Sequence, residues 1–318
     1  MTRVFLLLVA LLFCIWQAPA PDPRWLAAMS SSLASFWPST QSNPSASQYT
    51  DDDFRCPMDP EVHSKTLIKC PRCGMTMVRG IMEPVEYPVD LTHEPSRINP
   101  GDNVLLSFAI VDPRSRKPVR EFEVVHEKLY HLFVVSQDLK FFLHTHPQRQ
   151  GDGDFQLNMR FPKPGMYRLL SDFYPAGGTP QLIANTVMVP GEGFTLAKVH
   201  IEADLKPQHS ENASAELEIS PSAPLAGESV VLNFRVKPDD GVEPYVGAMA
   251  HMLAASSDLI DMIHQHPFQT TDGQWSAYKQ MQFNMTFPRP GVYRVWVQFQ
   301  RKSVVNTVAF NVPVGPYR

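Results

Sequence analysis

The chain has 318 residues and a net charge of −4, and 43% of its residues are hydrophobic. This length accommodates two or three domains with apolar cores, and the hydrophobic share excludes a chain that is disordered throughout. The sequence has no dense run of Lys or Arg, which is the surface that neutralises nucleic-acid phosphates, so a nucleic-acid partner is excluded.

The N-terminal segment has the pattern of an export signal. Arg3 precedes an apolar run over residues 4–16, and Ala-Pro-Ala at residues 18–20 forms a small-x-small cleavage motif. The run is shorter than the roughly 20 residues of a transmembrane helix. We expect residues 1–20 to be a signal peptide that sends the protein to the periplasm or cell envelope, with an uncleaved membrane anchor as the alternative. Residues 21–50, rich in Ser and Pro, are predicted to be a flexible linker.

Residues 51–80 contain three cysteines whose spacing is typical of a metal site. Cys70 and Cys73 lie on one tight turn, and Cys56 stands upstream of them. In an exported protein a disulfide framework would leave one of three thiols over, whereas three thiolates around one ion use them all. The candidates for a fourth ligand are His63, Asp59, Met58, Met75 and Met77. A thioether would favour Cu(I), and His or Asp would favour Zn(II).

Two stretches of this segment resemble a known family. Residues 54–62 read Phe-Arg-Cys-Pro-Met-Asp-Pro-Glu-Val, and residues 70–78 read Cys-Pro-Arg-Cys-Gly-Met-Thr-Met-Val. Both are similar to the short heavy-metal-binding domain at the termini of copper-exporting P-type ATPases and efflux periplasmic adaptors, although Asp59 replaces the family's usual His. The resemblance covers only residues 54–78. It implies heavy-metal binding and a metal exporter or efflux system as partner, with a structural zinc knuckle or a redox pair of cysteines as alternatives.

The rest of the chain is predicted to be mainly β and to contain one domain twice. Short apolar or alternating stretches are separated by Pro and Gly turns, without a long helical period. Three pairs of segments carry the repeat: residues 99–108 with 225–234, residues 161–168 with 287–294, and residues 185–187 with 306–308. We predict two immunoglobulin-like or cupredoxin-like β-sandwiches over residues 82–191 and 198–315. Tyr167 and Tyr293 are predicted to anchor a corner of each sandwich.

Each predicted sandwich contains the same histidine motif. The motif comprises His131, Asp138, His144, His146 and Pro147 in the first copy and His251, Asp258, His264, His266 and Pro267 in the second. The last two histidines of each copy share a strand face, because side chains alternate along a strand, and a hairpin would bring the first histidine beside them. Three neutral imidazoles suit Zn(II) or Cu(II), so we predict a metal site in each sandwich. The alternative is a strand end locked by hydrogen bonds.

These features predict an exported heavy-metal-binding protein that captures, buffers or delivers copper or zinc. One alternative is a mononuclear metalloenzyme using a three-His site, and another is an interaction protein with a structural metal. Binding is preferred to catalysis, and no catalytic residue is predicted, because the carboxylates of the motif, Asp138 and Asp258, are expected in hairpin turns. The sequence also contains no P-loop or dinucleotide-binding fingerprint.

Overall fold

The computed structural model describes residues 53–57, 62–71, 75–80, 85–151, 153–194, 199–267 and 280–317. Every helix or strand element in these ranges is a β-strand, which confirms the mainly-β prediction. None of the described residues forms a helix long and apolar enough to cross a bilayer. The predictions of a signal peptide over residues 1–20 and a linker over residues 21–50 lie outside the described residues.

A small antiparallel sheet holds the cysteine segment. Its strands are β1 (Phe54–Arg55), β2 (His63–Ser64) and β3 (Val78–Arg79), in the order β2-β1-β3. Cys56 and Cys70 are buried in an apolar cluster with Met75, and this cluster also contains Val125 and Tyr174 of the first sandwich. The segment is too short to bury a core by itself, and it therefore shares one with the first sandwich.

The first sandwich consists of two four-stranded antiparallel sheets. Its strands are β4 (Val89–Glu94), β5 (Asn103–Ile110), β6 (Tyr130–Ser136), β7 (Phe142–Thr145), β8 (Gln148–Arg149), β9 (Phe155–Arg160), β10 (Gly165–Phe173) and β11 (Gln181–Val189). One sheet has the order β4-β5-β9-β8 and the other the order β11-β10-β6-β7. Alternate side chains of both sheets meet in a core around Phe108, Phe155 and Leu169.

The second sandwich repeats this arrangement. Its strands are β12 (Gln208–His209), β13 (Ser214–Ser220), β14 (Ser229–Lys237), β15 (Val242–Glu243), β16 (His251–Ser256), β17 (Met262–Gln265), β18 (Gln280–Thr286), β19 (Gly291–Arg301) and β20 (Val304–Val314). One sheet has the order β12-β13-β14-β18; in the other, β15-β19-β16-β17, strand β20 also pairs with β19. Phe234, Phe283 and Phe310 lie in its core. The predicted pair of repeated sandwiches is confirmed.

The two predicted tyrosine corners are present. The Tyr167 hydroxyl donates a hydrogen bond of 2.9 Å to the carbonyl oxygen of Lys163. The Tyr293 hydroxyl lies 3.0 Å from the carbonyl oxygen of Arg289 and 2.8 Å from a carboxylate oxygen of Asp261. Each tyrosine therefore connects the start of its strand to the preceding turn, as in other sandwiches of this kind.

A fourth apolar cluster joins the two sandwiches, and the described ranges belong to one compact unit. It contains alternate residues of β6, β10, β16 and β19, which face away from the core of their own sandwich: Phe133, Val135, Leu170, Leu253, Ala255 and Trp296. The ring of Phe142 stacks on that of Trp296 with centroids 4.9 Å apart. Strands β6 and β16 are therefore buried on both faces, which explains why they are apolar almost throughout instead of alternating.

Candidate metal centre

Both histidine motifs face the interface between the sandwiches. His131 shares a face of β6 with Phe133, and His251 shares a face of β16 with Leu253, because side chains alternate along each strand. Since Phe133 and Leu253 pack in the interface cluster, the two histidines meet there, with ring centroids 5.7 Å apart. The six imidazoles therefore lie together between the sandwiches, and the prediction that they form metal sites stays a prediction.

In the first motif, three imidazoles converge on one nitrogen. The β6–β7 hairpin places Phe133 opposite His144 in the predicted hairpin arrangement. His131 Nδ1 lies 3.2 Å from His144 Nε2 and 3.2 Å from His146 Nε2. His131 and His144 are buried, whereas His146 is half-buried, so His146 forms the side of this trio nearest to solvent.

The second motif has the same construction. The β16–β17 hairpin places Leu253 opposite His264. His251 Nδ1 lies 3.1 Å from His266 Nε2, and the His264 ring stacks on that of His251 with centroids 5.8 Å apart. His264 Nε2 is buried and has no hydrogen-bond partner. His251, His264 and His266 have exposed fractions of 1%, 4% and 9%, so this trio is buried throughout.

Hydrogen bonds on the outer ring nitrogens determine which nitrogen carries the proton. His131 Nε2 donates to the carbonyl oxygen of Val125, and His251 Nε2 donates to that of Tyr245, each at 2.9 Å. A carbonyl oxygen only accepts, so the proton of each neutral ring lies on Nε2. The Nδ1 atoms of both histidines therefore present a lone pair to the centre.

The histidines of β7 and β17 are oriented across the interface. His144 Nδ1 donates to Oε1 of Gln298 at 2.9 Å, and the Gln298 amide nitrogen donates to Thr307. His264 Nδ1 donates to the carboxylate of Asp172. The neutral His144 ring, with its proton on Nδ1, therefore directs an unprotonated Nε2 inwards. Because His131 Nδ1 and His144 Nε2 are both lone pairs, their approach to 3.2 Å places no proton between them and favours a cation.

Burial keeps most of these rings neutral. Removal from water lowers the pKa of His131 to about 4 and that of His146 to about 3. Burial, together with repulsion from neighbouring imidazolium charges, lowers the pKa of His144, His251 and His266 well below the usual value. Neutral imidazole is the form that coordinates a metal ion, so these rings are ready to bind one at neutral pH.

The nitrogen positions suit a transition-metal ion. Among the described residues, two groups have ligand nitrogens that all lie within 4.8 Å of one another: His131, His144 and His251, and His251, His264 and His266. Tetrahedral coordination with bonds of 2.0–2.1 Å places ligand nitrogens about 3.3 Å apart. The separations of 3.1 and 3.2 Å within the two trios are close to this value. The centre can therefore hold copper or zinc through imidazole ligands.

A seventh histidine belongs to the centre, and the sequence analysis missed it. His126 lies in the loop before β6, yet its ring is 3.7 Å from that of His266 in the second sandwich, centroid to centroid. Its Nδ1 lies 3.4 Å from the carbonyl oxygen of Gly247, and its Nε2 is buried without a hydrogen-bond partner. Burial lowers its pKa to about 4. Since the second repeat has Val246 at the equivalent position, comparison of the repeats gave no signal for His126.

The orienting residues Asp172 and Gln298 were also missed. Asp172 is paired with His131 in the β6–β10 register, and Gln298 is paired with His251 in the β16–β19 register, so the two occupy equivalent positions. Burial raises the pKa of Asp172, but the hydrogen bond and charge of His264 outweigh it and lower the pKa overall. The sequence carried one signal for these two residues: the same position of the repeat holds Asp in the first copy and Gln in the second.

The cysteine segment is placed only in part. Cys56, Cys70 and Met75 are buried in one apolar cluster, while Cys73, Met58 and Asp59 lie outside the described residues, so a thiolate site stays a prediction. His63 is exposed, and its Nδ1 lies 3.9 Å from the carboxylate of buried Asp53.

Comparison with family models gives one matching family, a domain of unknown function designated DUF8832. Its model matches residues 84–191 and again residues 208–315, the two sandwiches. The resemblance of residues 54–78 to a heavy-metal-binding domain is therefore wrong, since the matching family is a different one. A cysteine-proline motif of this length is a weak basis for assigning a family. No curated protein matches the chain.

Solved structures with a similar β-sandwich arrangement include carbohydrate-binding modules and bacterial adhesins. A carbohydrate-binding module from the β-sandwich superfamily is 10% identical, with 74% of this chain and 94% of that chain covered and a TM-score of 0.23. The Yersinia pseudotuberculosis adhesin InvE is 12% identical over 72% of this chain and 60% of that chain, with a TM-score of 0.22. The Escherichia coli adhesin FdeC is 13% identical over 75% and 67%, with a TM-score of 0.23.

Proposed function

We propose that this chain, which belongs to the DUF8832 family of domains of unknown function, binds copper or zinc at the histidine centre between its two sandwiches. One observation carries the proposal: His131 Nδ1 and His144 Nε2 lie 3.2 Å apart while their other nitrogens donate to Val125 and Gln298. Two lone pairs at this distance repel each other in a buried site, and a shared cation removes the repulsion.

The outer hydrogen bonds support a metal site over a strand end locked by hydrogen bonds. In a lock, each inward nitrogen would need a donor opposite an acceptor. Here the outer nitrogens of His131, His144, His251 and His264 all face acceptors, and the inward pair of His131 Nδ1 and His144 Nε2 has no proton between its two atoms. Metal-ligating histidines typically donate their second N–H to groups of these kinds, which set the tautomer and the ring orientation.

Binding, with capture or delivery of the ion, fits the surroundings better than catalysis. The two turn carboxylates, Asp138 and Asp258, hydrogen-bond Lys163 and Arg289 at the far end of the hairpins from His131 and His251. Neither is placed to act as a general base at the centre. The half-buried His146 supplies the side through which an ion would enter or leave. We further propose, from the signal pattern over residues 1–20, that the protein is exported.

Metal titration of the full chain tests the proposal. Wild-type protein is titrated with Cu(II), Zn(II) and Co(II) beside a His131→Ala/His251→Ala variant, with His209→Ala on exposed β12 as matched control. We expect the double variant to lose binding at the centre and the control to keep it. The Co(II) spectrum separates imidazole from thiolate ligation, because only thiolates add a charge-transfer band. Undiminished nitrogen-ligated metal in the double variant, or none in wild type, would overturn the proposal.

A further inference from the structure

Three rings of the histidine centre have their proton held on the outside by an acceptor. His131 and His251 donate from Nε2 to carbonyl oxygens, and His144 donates from Nδ1 to Gln298. The other nitrogen of each neutral ring therefore offers a lone pair to the centre. Ligand nitrogens of these three rings, which come from both sandwiches, all lie within 4.8 Å of one another.

The last histidine of each motif, His146 or His266, has a different arrangement. His266 Nε2 lies 3.1 Å from His251 Nδ1, and His266 Nδ1 is buried without a hydrogen-bond partner. His146 Nε2 lies 3.2 Å from His131 Nδ1. Because His131 and His251 present lone pairs, these contacts are hydrogen bonds when His146 and His266 carry their protons on Nε2. Each then donates to a nitrogen that a metal ion would need.

The two groups of neighbouring nitrogens can hold one ion between them. Both groups use the inward Nδ1 of His251, so an ion in one group excludes an ion in the other. The second group contains its own donor, because His266 faces His251 Nδ1 with an N–H. In the first group, the nitrogens of His131 and His144 lie 3.2 Å apart with no proton between them. The first group is therefore the one that a cation stabilises.

From this pattern we infer that the centre binds a single ion through His131 Nδ1, His144 Nε2 and His251 Nδ1, an inference that rests on the proposed function. His146 and His266 are not ligands. In the metal-free protein they donate to His131 and His251, and an ion must displace both hydrogen bonds to bind. His146 is half-buried, so its ring is the gate that turns aside when the ion enters. Three ligands also leave one coordination position free.

Zn(II) titration of the full chain against a competing chelator separates the ligands from the gating histidines. The same substitution, His to Leu, is made at each of five positions: 131, 144, 146, 251 and 266. Loss of a ligand, in His131→Leu, His144→Leu or His251→Leu, should weaken binding by more than the roughly 10–100-fold that loss of an outer partner costs. His146→Leu and His266→Leu should each tighten binding by about 2- to 10-fold, because the ion displaces one hydrogen bond fewer.

This gain in affinity cannot come from general damage to the fold, and circular dichroism of the metal-free variants checks folding. Nitrogen NMR of the imidazole rings adds a measurement that needs no variant. In metal-free wild type, His146 and His266 should carry their protons on Nε2. Zinc should then shift the signals of His131 Nδ1, His144 Nε2 and His251 Nδ1.

The outcomes distinguish the inference from the proposed function. Unchanged or weaker zinc binding by folded His146→Leu or His266→Leu would show that the residue is a ligand or has no part in gating, and the inference would be wrong while metal binding stands. Two nitrogen-ligated ions per chain, or protons on Nδ1 of His146 and His266, would also overturn it. Absence of nitrogen-ligated zinc from wild type would instead overturn the proposed function.

Discussion

The two histidine hairpins share their construction and differ in what the opposite sandwich presents to them. In both, a carbonyl oxygen of the preceding loop orients the first histidine, and the strand register sets the second. The differences come from outside the hairpins: Asp172 against Gln298, and His126 against Val246. A duplicated motif thus preserves the arrangement of its three histidines, while the opposite sandwich determines the charge and the additional ring beside them.

The largest expected effect is the decrease in the free energy of unfolding as the pH falls. In metal-free protein the histidines whose pKa is lowered by burial are neutral when folded but take up protons below about pH 6.5 when unfolded, so acid favours unfolding. His131, with a folded pKa of about 4, lowers the free energy of unfolding by roughly 3 kcal/mol between pH 6.5 and 4. The other histidines with a lowered pKa add to this loss.

Urea unfolding in the presence of a chelator, repeated across this pH range, measures the effect. His131→Gln and His251→Gln should each make the free energy of unfolding less dependent on pH. The sizes of the two changes compare the two hairpins. A free energy of unfolding that is independent of pH between 6.5 and 4 would contradict the neutral, buried state of these rings.

A second prediction concerns the apolar contact that holds the two hairpins face to face. Trp296 lies opposite Leu253 in the β16–β19 register, and Leu170 lies opposite Phe133 in the β6–β10 register, so they are equivalent. Trp296→Ala should cost about 3–5 kcal/mol because it leaves a cavity beside Phe142. Leu170→Ala should cost less because it removes fewer buried atoms.

Urea unfolding measures both changes. The control is Ile260→Ala, which replaces a side chain that is 67% exposed and should change stability by less than about 0.5 kcal/mol. Equal losses for Trp296→Ala and the control would mean that the interface does not contribute to folding stability.

The smallest predicted effect compares the tyrosine corners. Tyr167→Phe removes one hydrogen bond to a carbonyl oxygen and should cost about 1 kcal/mol. Tyr293→Phe should cost somewhat more, because the Tyr293 hydroxyl also contacts the Asp261 carboxylate, which Arg289 binds at 2.8 Å. Thermal unfolding of the two variants measures both losses of stability. A larger loss for Tyr167→Phe than for Tyr293→Phe would contradict the prediction.

The cysteine segment and the histidine motifs show which sequence signals were informative. Residues 54–78 carried the closer family resemblance, and that resemblance is wrong, because the matching family covers the sandwiches. The histidine spacing was the weaker signal, yet the hairpins that it predicted are present. The spacing was informative because side-chain alternation and hairpin pairing are local and follow directly from chain order.

The sequence by itself determined the mainly-β class, the repeat, the corners and the placement of three histidines on each hairpin. It also showed that strands β6 and β16 carry apolar residues on both faces, so each face must pack against another part of the protein. Only the tertiary structure decided that each covers the other, which brings His131 to His251 and adds His126, Asp172 and Gln298 to the centre. The physical reason is that local rules orient a side chain relative to its own strand, whereas packing between domains decides what that side chain meets.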